Sequence, residues 1–134
     1  MDEVDDKILE KLNENARKSY REIARELNVS LTTVSNRIKK MEDEKIIERY
    51  IPLINQEKIG YDLTAVINVK ISHGKLLEVQ EKISKDKHVS GVYDITGEWD
   101  SLIIAHFKDR RDLNGFIYGV LCMDNVEITN TQLV

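Results

Sequence analysis

Apolar residues recur with two different periods along the chain. Up to about residue 44 they are spaced three or four positions apart, which predicts amphipathic helices. The first helix opens with an acid-rich turn, as suits the positive end of a helix dipole, and its apolar positions are Val4, Ile8, Leu9 and Leu12. From Leu63 to Ile71 every second residue is apolar, which predicts a β-strand with one buried face. We therefore expect a helical N-terminal part and a mixed C-terminal part.

A second, short helix is predicted after the pattern breaks at residues 13–17. Ser19 is its expected N-cap, and Glu22, three residues later, completes a capping box. Its apolar side is formed by Ile23, Ala24 and Leu27. Ala24 is small, as the contact between two helices that cross at a tight turn requires. Asn28 tolerates a positive φ, so we expect the chain to turn sharply there.

The third predicted helix runs from its N-cap Ser30 to about Glu44. Its inward face is Leu31, Val34, Ile38 and Met41. At roughly 100° per residue the opposite face is centred on Thr32, Asn36 and Lys39 and flanked by Thr33, Ser35, Arg37 and Lys40. Hydroxyls, amides and cations can read base edges in a major groove while neighbouring cations hold phosphates. The pattern favours a helix-turn-helix with a recognition helix over an anonymous three-helix bundle.

The charge of this region differs from that of the whole chain. The net charge is -4, which disfavours a protein that coats nucleic acid or anionic membrane by bulk attraction. Residues 15–40, however, carry seven Lys and Arg against two Glu. Such a confined basic stretch is typical of a polyanion-binding surface, the alternative being a set of solvated helix faces.

The second half of the chain predicts a compact sheet with helices. Residues 51–62 form a linker that contains Pro52, with Gly60 as its flexible point. After the strand at Leu63 we expect a helix at 75–87, strands at 89–96 and 100–107, a helix at 110–123 and a last strand at 126–134. The order βαββαβ predicts a ferredoxin-like sheet with two helices on one face. The fold class is α+β, with domains at 1–50 and 63–134.

Three segments of the sequence resemble the Lrp/AsnC (feast/famine) family of transcription regulators. They are "DDKILEKLNENARKSYREIARELNVSLTTVSNRIKKMEDEKIIERY", "VYDITGEWDSLIIAHF" and "VEITNTQLV". The resemblance implies a winged-type helix-turn-helix domain followed by a ferredoxin-like (RAM) domain that senses amino acids and builds the oligomer. Members often carry Pro where Leu31 stands and Gly where Lys45 stands.

The resemblance also implies partners. The protein would bind a pseudo-palindromic operator in double-stranded DNA as a homodimer, which would assemble further to a tetramer or octamer. Thr32, Thr33, Ser35, Asn36 and Lys39 would read bases, and Arg37 and Lys40 would hold phosphates. The recognition helices of a two-fold dimer would reach half-sites about one helical turn apart, or a multiple of it.

The stretch "DITGEWDSLII" carries the predicted effector site. The resemblance places an amino acid between subunits, against the loop Gly97, Glu98, Trp99 and Asp100 and against Thr129 and Thr131 of a neighbour. Gly97 would let backbone N–H groups approach a carboxylate, and Glu98 or Asp100 would pair with an ammonium. A plain hairpin turn is the alternative. A catalytic acid pair is disfavoured because no partner for a nucleophile or oxyanion role accompanies the two acids.

Other functions are weighed against the regulator. Sirohaem decarboxylases are similar in architecture, but His73, His88 and His106 are scattered, and no catalytic, cofactor or metal-binding motif is present. An architectural DNA-binding protein without an effector would use the same helix-turn-helix. Cys122 is alone in an apolar stretch, which predicts a reduced, buried thiol. Because no long apolar run or basic leader is present, we expect a cytoplasmic protein without a membrane segment.

Overall fold

The computed structural model describes all 134 residues, which form two compact units. The first unit is Met1–Leu53 and the second is Ile54–Val134. The boundary between them falls inside the predicted linker 51–62. None of the helices combines the length and the apolar composition needed to cross a membrane.

The first unit contains three helices, α1 (Glu3–Glu14), α2 (Tyr20–Leu27) and α3 (Leu31–Asp43). The predicted N-caps of α2 and α3 are confirmed, because Ser19 accepts from the Glu22 backbone N–H and Ser30 from that of Thr33. A full capping box forms at Asp2 and Asp5, at the start of α1, where the sequence analysis did not predict one. Asn28 ends α2 with φ 54°, as the turn between the two helices requires.

The core of the first unit is formed by the apolar stripes of all three helices. Ile8, Ile23, Val34 and Ile38 are fully buried there. Leu31 was predicted to lie on the inward face of α3, and that prediction is wrong, since 42% of it is exposed. Leu31 is the first residue of the helix, so no preceding turn of α3 lies beside its side chain.

The segment after α3 is not a strand. Lys45 takes φ 60°, and the N–H groups of Ile46 and Ile47 bond back to the carbonyl of Met41. Residues 46–56 form no helix or strand, so this segment provides no strand for the wing that the family resemblance implies. A strand needs a neighbour for its backbone groups, and this segment has none within the chain. Instead a short 3-10 turn spans Glu57–Ile59, and Gly60 follows with φ 89°.

The second unit has the predicted βαββαβ order. Its elements are β1 (Leu63–Ile71), α4 (Leu76–Ser84), β2 (Val89–Asp94), β3 (Ser101–Phe107), α5 (Arg110–Leu121) and β4 (Val126–Leu133). The four strands form an antiparallel sheet in the order β2-β3-β1-β4, which confirms the ferredoxin-like topology. Alternation along β1 buries Ala65, Ile67 and Val69 against the two helices.

Opposite that buried face, the sheet presents a second face whose residues are half-buried on the central strands and exposed on β4. Val66 pairs with Ile104, and Asn68 with Leu102. On the edge strand β4 the neighbouring positions are Ile128, Asn130 and Gln132. Residues directly opposite one another share a face of the sheet, so this open face, as we call it, is a mixed apolar and amide surface.

The prediction of a buried Cys122 is wrong, because the thiol is exposed. Helix α5 buries Leu113, Phe116 and Val120. Cys122 stands two residues beyond Val120, and a helical step of two residues turns the side chain by about 200°. Val120 therefore points to the core while Cys122 points away from it.

Candidate functional site

The structure gathers the predicted recognition residues on the side of α3 opposite its buried stripe. Thr32, Asn36, Lys39 and Lys40 are exposed, and Thr33, Ser35 and Arg37 are half-buried. The Thr33 hydroxyl lies 2.8 Å from the Ser30 hydroxyl and so belongs to the cap of the helix. Asn36 and the two lysines therefore present the freest polar groups of this face.

Arg37 has partners inside the unit. Its Nη1 donates to Asp2 Oδ2 at 2.6 Å and to Asp5 Oδ1 at 3.2 Å. The bond to Asp2 raises the pKa of Arg37, and the same bond holds the pKa of Asp2 below its usual range. The guanidinium thus ties the start of α1 to the middle of α3. Sequence reasoning missed this contact, since it joins residues far apart in the chain.

The other basic residues of the first unit are not equivalent. Lys18 Nζ lies 2.9 Å from both Glu26 carboxylate oxygens, and the bond to Glu26 raises the pKa of Lys18. Lys11 is also within 4 Å of Glu26. Arg21 and Arg25 on α2, by contrast, are exposed and make no ion pair. The sequence analysis counted all of these cations alike.

Tyr50 lies beside the end of α3. Burial raises its pKa to about 12, and the neighbouring Glu42 carboxylate and Tyr20 hydroxyl act in the same direction. The three side chains therefore lie close to one another.

The predicted effector loop joins β2 to β3. Gly97 takes φ 103° and faces open space, and Glu98 beside it is exposed. Asp100 is half-buried and its Oδ2 accepts from the Ile71 backbone N–H at 2.7 Å. The Asp100 N–H donates to the Val69 carbonyl at 3.1 Å. Asp100 thus secures the loop to the end of β1, which leaves Glu98 as the loop carboxylate without a partner in the chain.

A polar cluster that sequence reasoning missed holds the base of the loop. Gln80 on α4 donates to Asp94 Oδ1 at 2.6 Å and to Ser101 Oγ at 3.0 Å. Ser101 is fully buried and its hydroxyl donates to the Tyr93 carbonyl at 3.2 Å. Both ends of the loop are therefore held in place by the domain itself.

Within one chain, Thr129 lies at the same end of the sheet as the loop. Val69 pairs with Ser101 on one side and with Thr129 on the other, so Thr129 is two strand spacings, about 10 Å, from the start of β3. Thr131 pairs with Ile67 and lies farther along β4. The structure thus brings Thr129 near the loop but not Thr131.

His88 and His106 have different partners and do not form a shared site. His88 Nδ1 lies 2.6 Å from Asp86 and its Nε2 lies 2.9 Å from Asp112, beside a cavity of about 490 Å³. The backbone N–H of Lys108 is the main cause that lowers the pKa of Asp112. His106 contacts the hydroxyls of Thr64 and Ser90. No group of three or more His, Cys, Asp or Glu side chains could hold a metal ion.

Comparison with known families matches both units. Residues 1–42 match the AsnC-type helix-turn-helix domain, and residues 64–134 match the Lrp/AsnC ligand binding domain. An HTH-type transcriptional regulator of Pyrococcus horikoshii, itself uncharacterized, is 51% identical over the whole of this chain and 90% of its own length. The HTH-type transcriptional regulator Ptr1 of Methanocaldococcus jannaschii is 36% identical over 96% of this chain and 90% of its own.

Solved structures of similar shape agree with these matches. AsnC of E. coli superposes with a TM-score of 0.85 and 26% identity, over all of this chain and 91% of that one. A transcriptional regulator of Neisseria meningitidis, solved as a complex with L-Met, superposes with a TM-score of 0.88 and 28% identity. That match covers all of this chain and 89% of the other.

Proposed function

The chain belongs to the Lrp/AsnC family of DNA-binding transcription regulators, and we propose that it binds a pseudo-palindromic operator under the control of an amino acid. The DNA-binding part of this proposal rests on the exposed polar face of α3, which belongs to the unit that matches the family's helix-turn-helix domain. The second unit matches the family's ligand-binding domain, which supports control by a bound small molecule.

For DNA recognition we assign base contacts to Asn36, Lys39 and the hydroxyls of Thr32 and Ser35, while the Thr33 hydroxyl remains with Ser30 in the cap of the helix. Asn36 is exposed near the centre of the face, where an amide can bond an adenine edge through two hydrogen bonds. Lys40 is exposed beside it and suits a phosphate contact. These assignments follow from the side-chain chemistry and from its direction away from the core.

Binding assays with Asn36→Ala test this assignment. The loss of a two-bond base contact should weaken binding to a selected operator by about 1–3 kcal/mol and binding to random DNA very little. Lys40→Ala should instead weaken binding to both DNAs and lower the salt dependence. Equal losses of Asn36→Ala on both DNAs would remove its assigned role.

We propose that the functional unit is at least a homodimer. The open face of the sheet carries half-buried Val66, Leu102 and Ile104 without a covering layer of this chain, and it includes half-exposed Ile128. In the first unit, Ile51 and Leu53 are exposed in a segment that forms no helix or strand. A second copy of the chain could cover both surfaces through two-fold contacts. Sedimentation of Ile104→Lys, compared with the wild type, should show dissociation, and an unchanged mass would contradict this interface.

The effector proposal uses the loop between β2 and β3. Gly97 leaves room for a ligand carboxylate to approach backbone N–H groups, and exposed Glu98 is free to pair with an ammonium. The partner subunit's Thr129 and Thr131 would satisfy the remaining polar groups of the amino acid. The structure of the Neisseria meningitidis regulator with L-Met supports an amino acid as the ligand class.

Calorimetry tests the effector proposal directly. Titration of the wild-type chain with each of the twenty amino acids should give heat for at least one of them. Gly97→Trp should abolish that heat while DNA binding by the dimer remains, because a large side chain would fill the space above the loop. A wild-type protein that gives no heat and no change of oligomeric state with any amino acid would remove the sensing claim.

The competing functions differ in what they require. An architectural DNA-binding protein would bind DNA without any response to amino acids, and the calorimetry separates it from a sensing regulator. A sirohaem-decarboxylase-like enzyme would need histidines and arginines around one large pocket, whereas His88 and His106 are each engaged by neighbours on different parts of the sheet. We therefore propose a cytoplasmic regulator that is not an enzyme.

A further inference from the structure

Ion pairs inside the first unit divide its basic residues into two classes. Lys11, Lys18 and Arg37 each lie within 4 Å of at least one carboxylate of the same unit. Arg21, Arg25, Lys39 and Lys40 are exposed and make no such pair. A cation already neutralised by a carboxylate releases few additional counterions when it meets DNA, because its charge is compensated beforehand. The free cations are therefore the ones that can contribute most to binding the DNA backbone.

The free and paired charges are segregated on α2. Arg21 and Arg25 are four residues apart and so share one flank of the helix, while Glu22 and Glu26 share another flank about 100° away. Glu26 faces Lys11 of α1 and Lys18 of the preceding turn. The acidic flank is thus turned toward α1.

The basic flank of α2 lies on the side of the helix away from α1. At 100° per residue, Arg21 and Arg25 follow the Ala24 edge of the buried stripe, whereas Glu26 lies next to the Ile23 edge and pairs with Lys11 of α1. The buried residues of α2 also pack in one core with those of α3. The exposed arginines therefore lie on the flank of α2 that makes no ion pair with α1, on a helix that packs against α3.

We propose that Arg21 and Arg25 hold DNA phosphates beside the recognition helix, and that Arg37 anchors α1 to α3 instead of contacting the backbone. The contact of Arg37 with both Asp2 and Asp5 carries the second half of this assignment, because a phosphate would have to displace two carboxylates from the guanidinium. The assignment rests on the proposed DNA-binding function and revises which cations of the unit serve it.

The salt dependence of DNA binding tests the assignment. Each phosphate contact contributes about 0.9 to the slope of log K against log salt on double-stranded DNA. The double variant Arg21→Gln/Arg25→Gln should therefore lower the slope by about 1.8 for each bound protomer, that is by about 3.6 for a dimer. The probe is a fluorescein-labelled duplex of random sequence, titrated with the full-length chain over a KCl series and followed by anisotropy.

Two variants serve as controls for general charge effects. Lys11→Gln/Lys18→Gln removes the same number of positive charges from α1 and from the turn before α2, where both lysines pair with Glu26, and its slope should match that of the wild type. Arg37→Gln should also keep the wild-type slope, while its melting temperature falls because Asp2 and Asp5 lose their shared partner. Circular dichroism verifies that each variant is folded at the temperature of the titration.

The outcomes separate this assignment from the function on which it rests. A wild-type chain that binds neither this duplex nor an operator would overturn the proposed function and the assignment together. Wild-type binding with an unchanged slope in Arg21→Gln/Arg25→Gln, or with equal decreases in both double variants, would overturn the assignment alone. A decrease of about 0.9 per protomer in Arg37→Gln would return that residue to the phosphate contacts.

Discussion

Replacement of Asp100 should destabilise the second unit, whatever the loop binds. The carboxylate receives the Ile71 backbone N–H at 2.7 Å, and the Asp100 backbone bonds to Val69 and Ile95. These contacts join the loop to the end of the central strand β1. Asp100→Ala removes the acceptor and leaves the N–H of the buried residue Ile71 without its charged partner.

The magnitude follows from the type of bond that is lost. A hydrogen bond to a charged group contributes about 1.5–3 kcal/mol, so we expect Asp100→Ala to lower the free energy of unfolding of this unit by about 2 kcal/mol. For a domain of this size, each kcal/mol shifts the melting temperature by about 4–8 °C, which predicts a decrease of roughly 8–16 °C. Asp100→Asn keeps an oxygen acceptor but not the charge, so about half of that decrease is expected.

Thermal unfolding followed by the fluorescence of Trp99 measures this effect. Trp99 is the only tryptophan of the chain and lies next to Asp100, so its signal reports the second unit. Glu98→Ala is the matched control, because Glu98 is exposed and makes no hydrogen bond or ion pair, and its melting temperature should stay near that of the wild type. If Asp100→Ala and Glu98→Ala melt at the same temperature as the wild type, the structural role of Asp100 is refuted.

Three further substitutions probe other features of the fold. Lys45→Gly should stabilise the first unit by about 0.5–1 kcal/mol, because the φ of 60° costs a residue with a side chain more than it costs glycine; a lower denaturant midpoint would contradict this. Cys122→Ser should change the free energy of unfolding by less than about 0.5 kcal/mol, since the thiol is exposed, and a loss of several times that size would indicate a buried side chain. The lowered pKa of Asp112 means that its contribution to stability is present above the usual carboxyl pKa of 3.8 and is lost as the pH falls through the folded-state value. The stability difference between the wild type and Asp112→Asn should therefore shrink on acidification, and a difference that is constant with pH would refute the linkage.

Features set by local chemistry could be predicted from the sequence. Ser19 and Ser30 cap their helices through hydroxyls that act within three residues, and Asn28 takes the left-handed conformation that its side chain tolerates. The alternation along β1 predicted its buried residues Ala65, Ile67, Val69 and Ile71, while Leu63 at the start of the strand is half-buried. Each of these features depends on residues that are close together in the sequence, so the sequence alone is enough to predict it.

Features set by distant neighbours could not be predicted in this way. The contact of Arg37 with Asp2 joins residues 35 positions apart, and the sequence offered no signal for it other than an acidic N-terminus near a basic helix. Asp100 was assigned to a ligand because a carboxylate in a loop suits an ammonium, while its partner, the Ile71 N–H, lies on another strand. The wing was expected from the family resemblance, and the segment after α3 finds no backbone partner within the chain.

DNA binding and its response to amino acids form the central claim, and fluorescence anisotropy tests both together. The wild-type chain would be titrated onto DNA from upstream of its own gene and onto random DNA, over a salt series, with and without a mixture of the twenty amino acids. We expect tighter binding to the upstream DNA and a shift of that binding by the mixture. An absence of binding to either DNA at low salt would contradict the account.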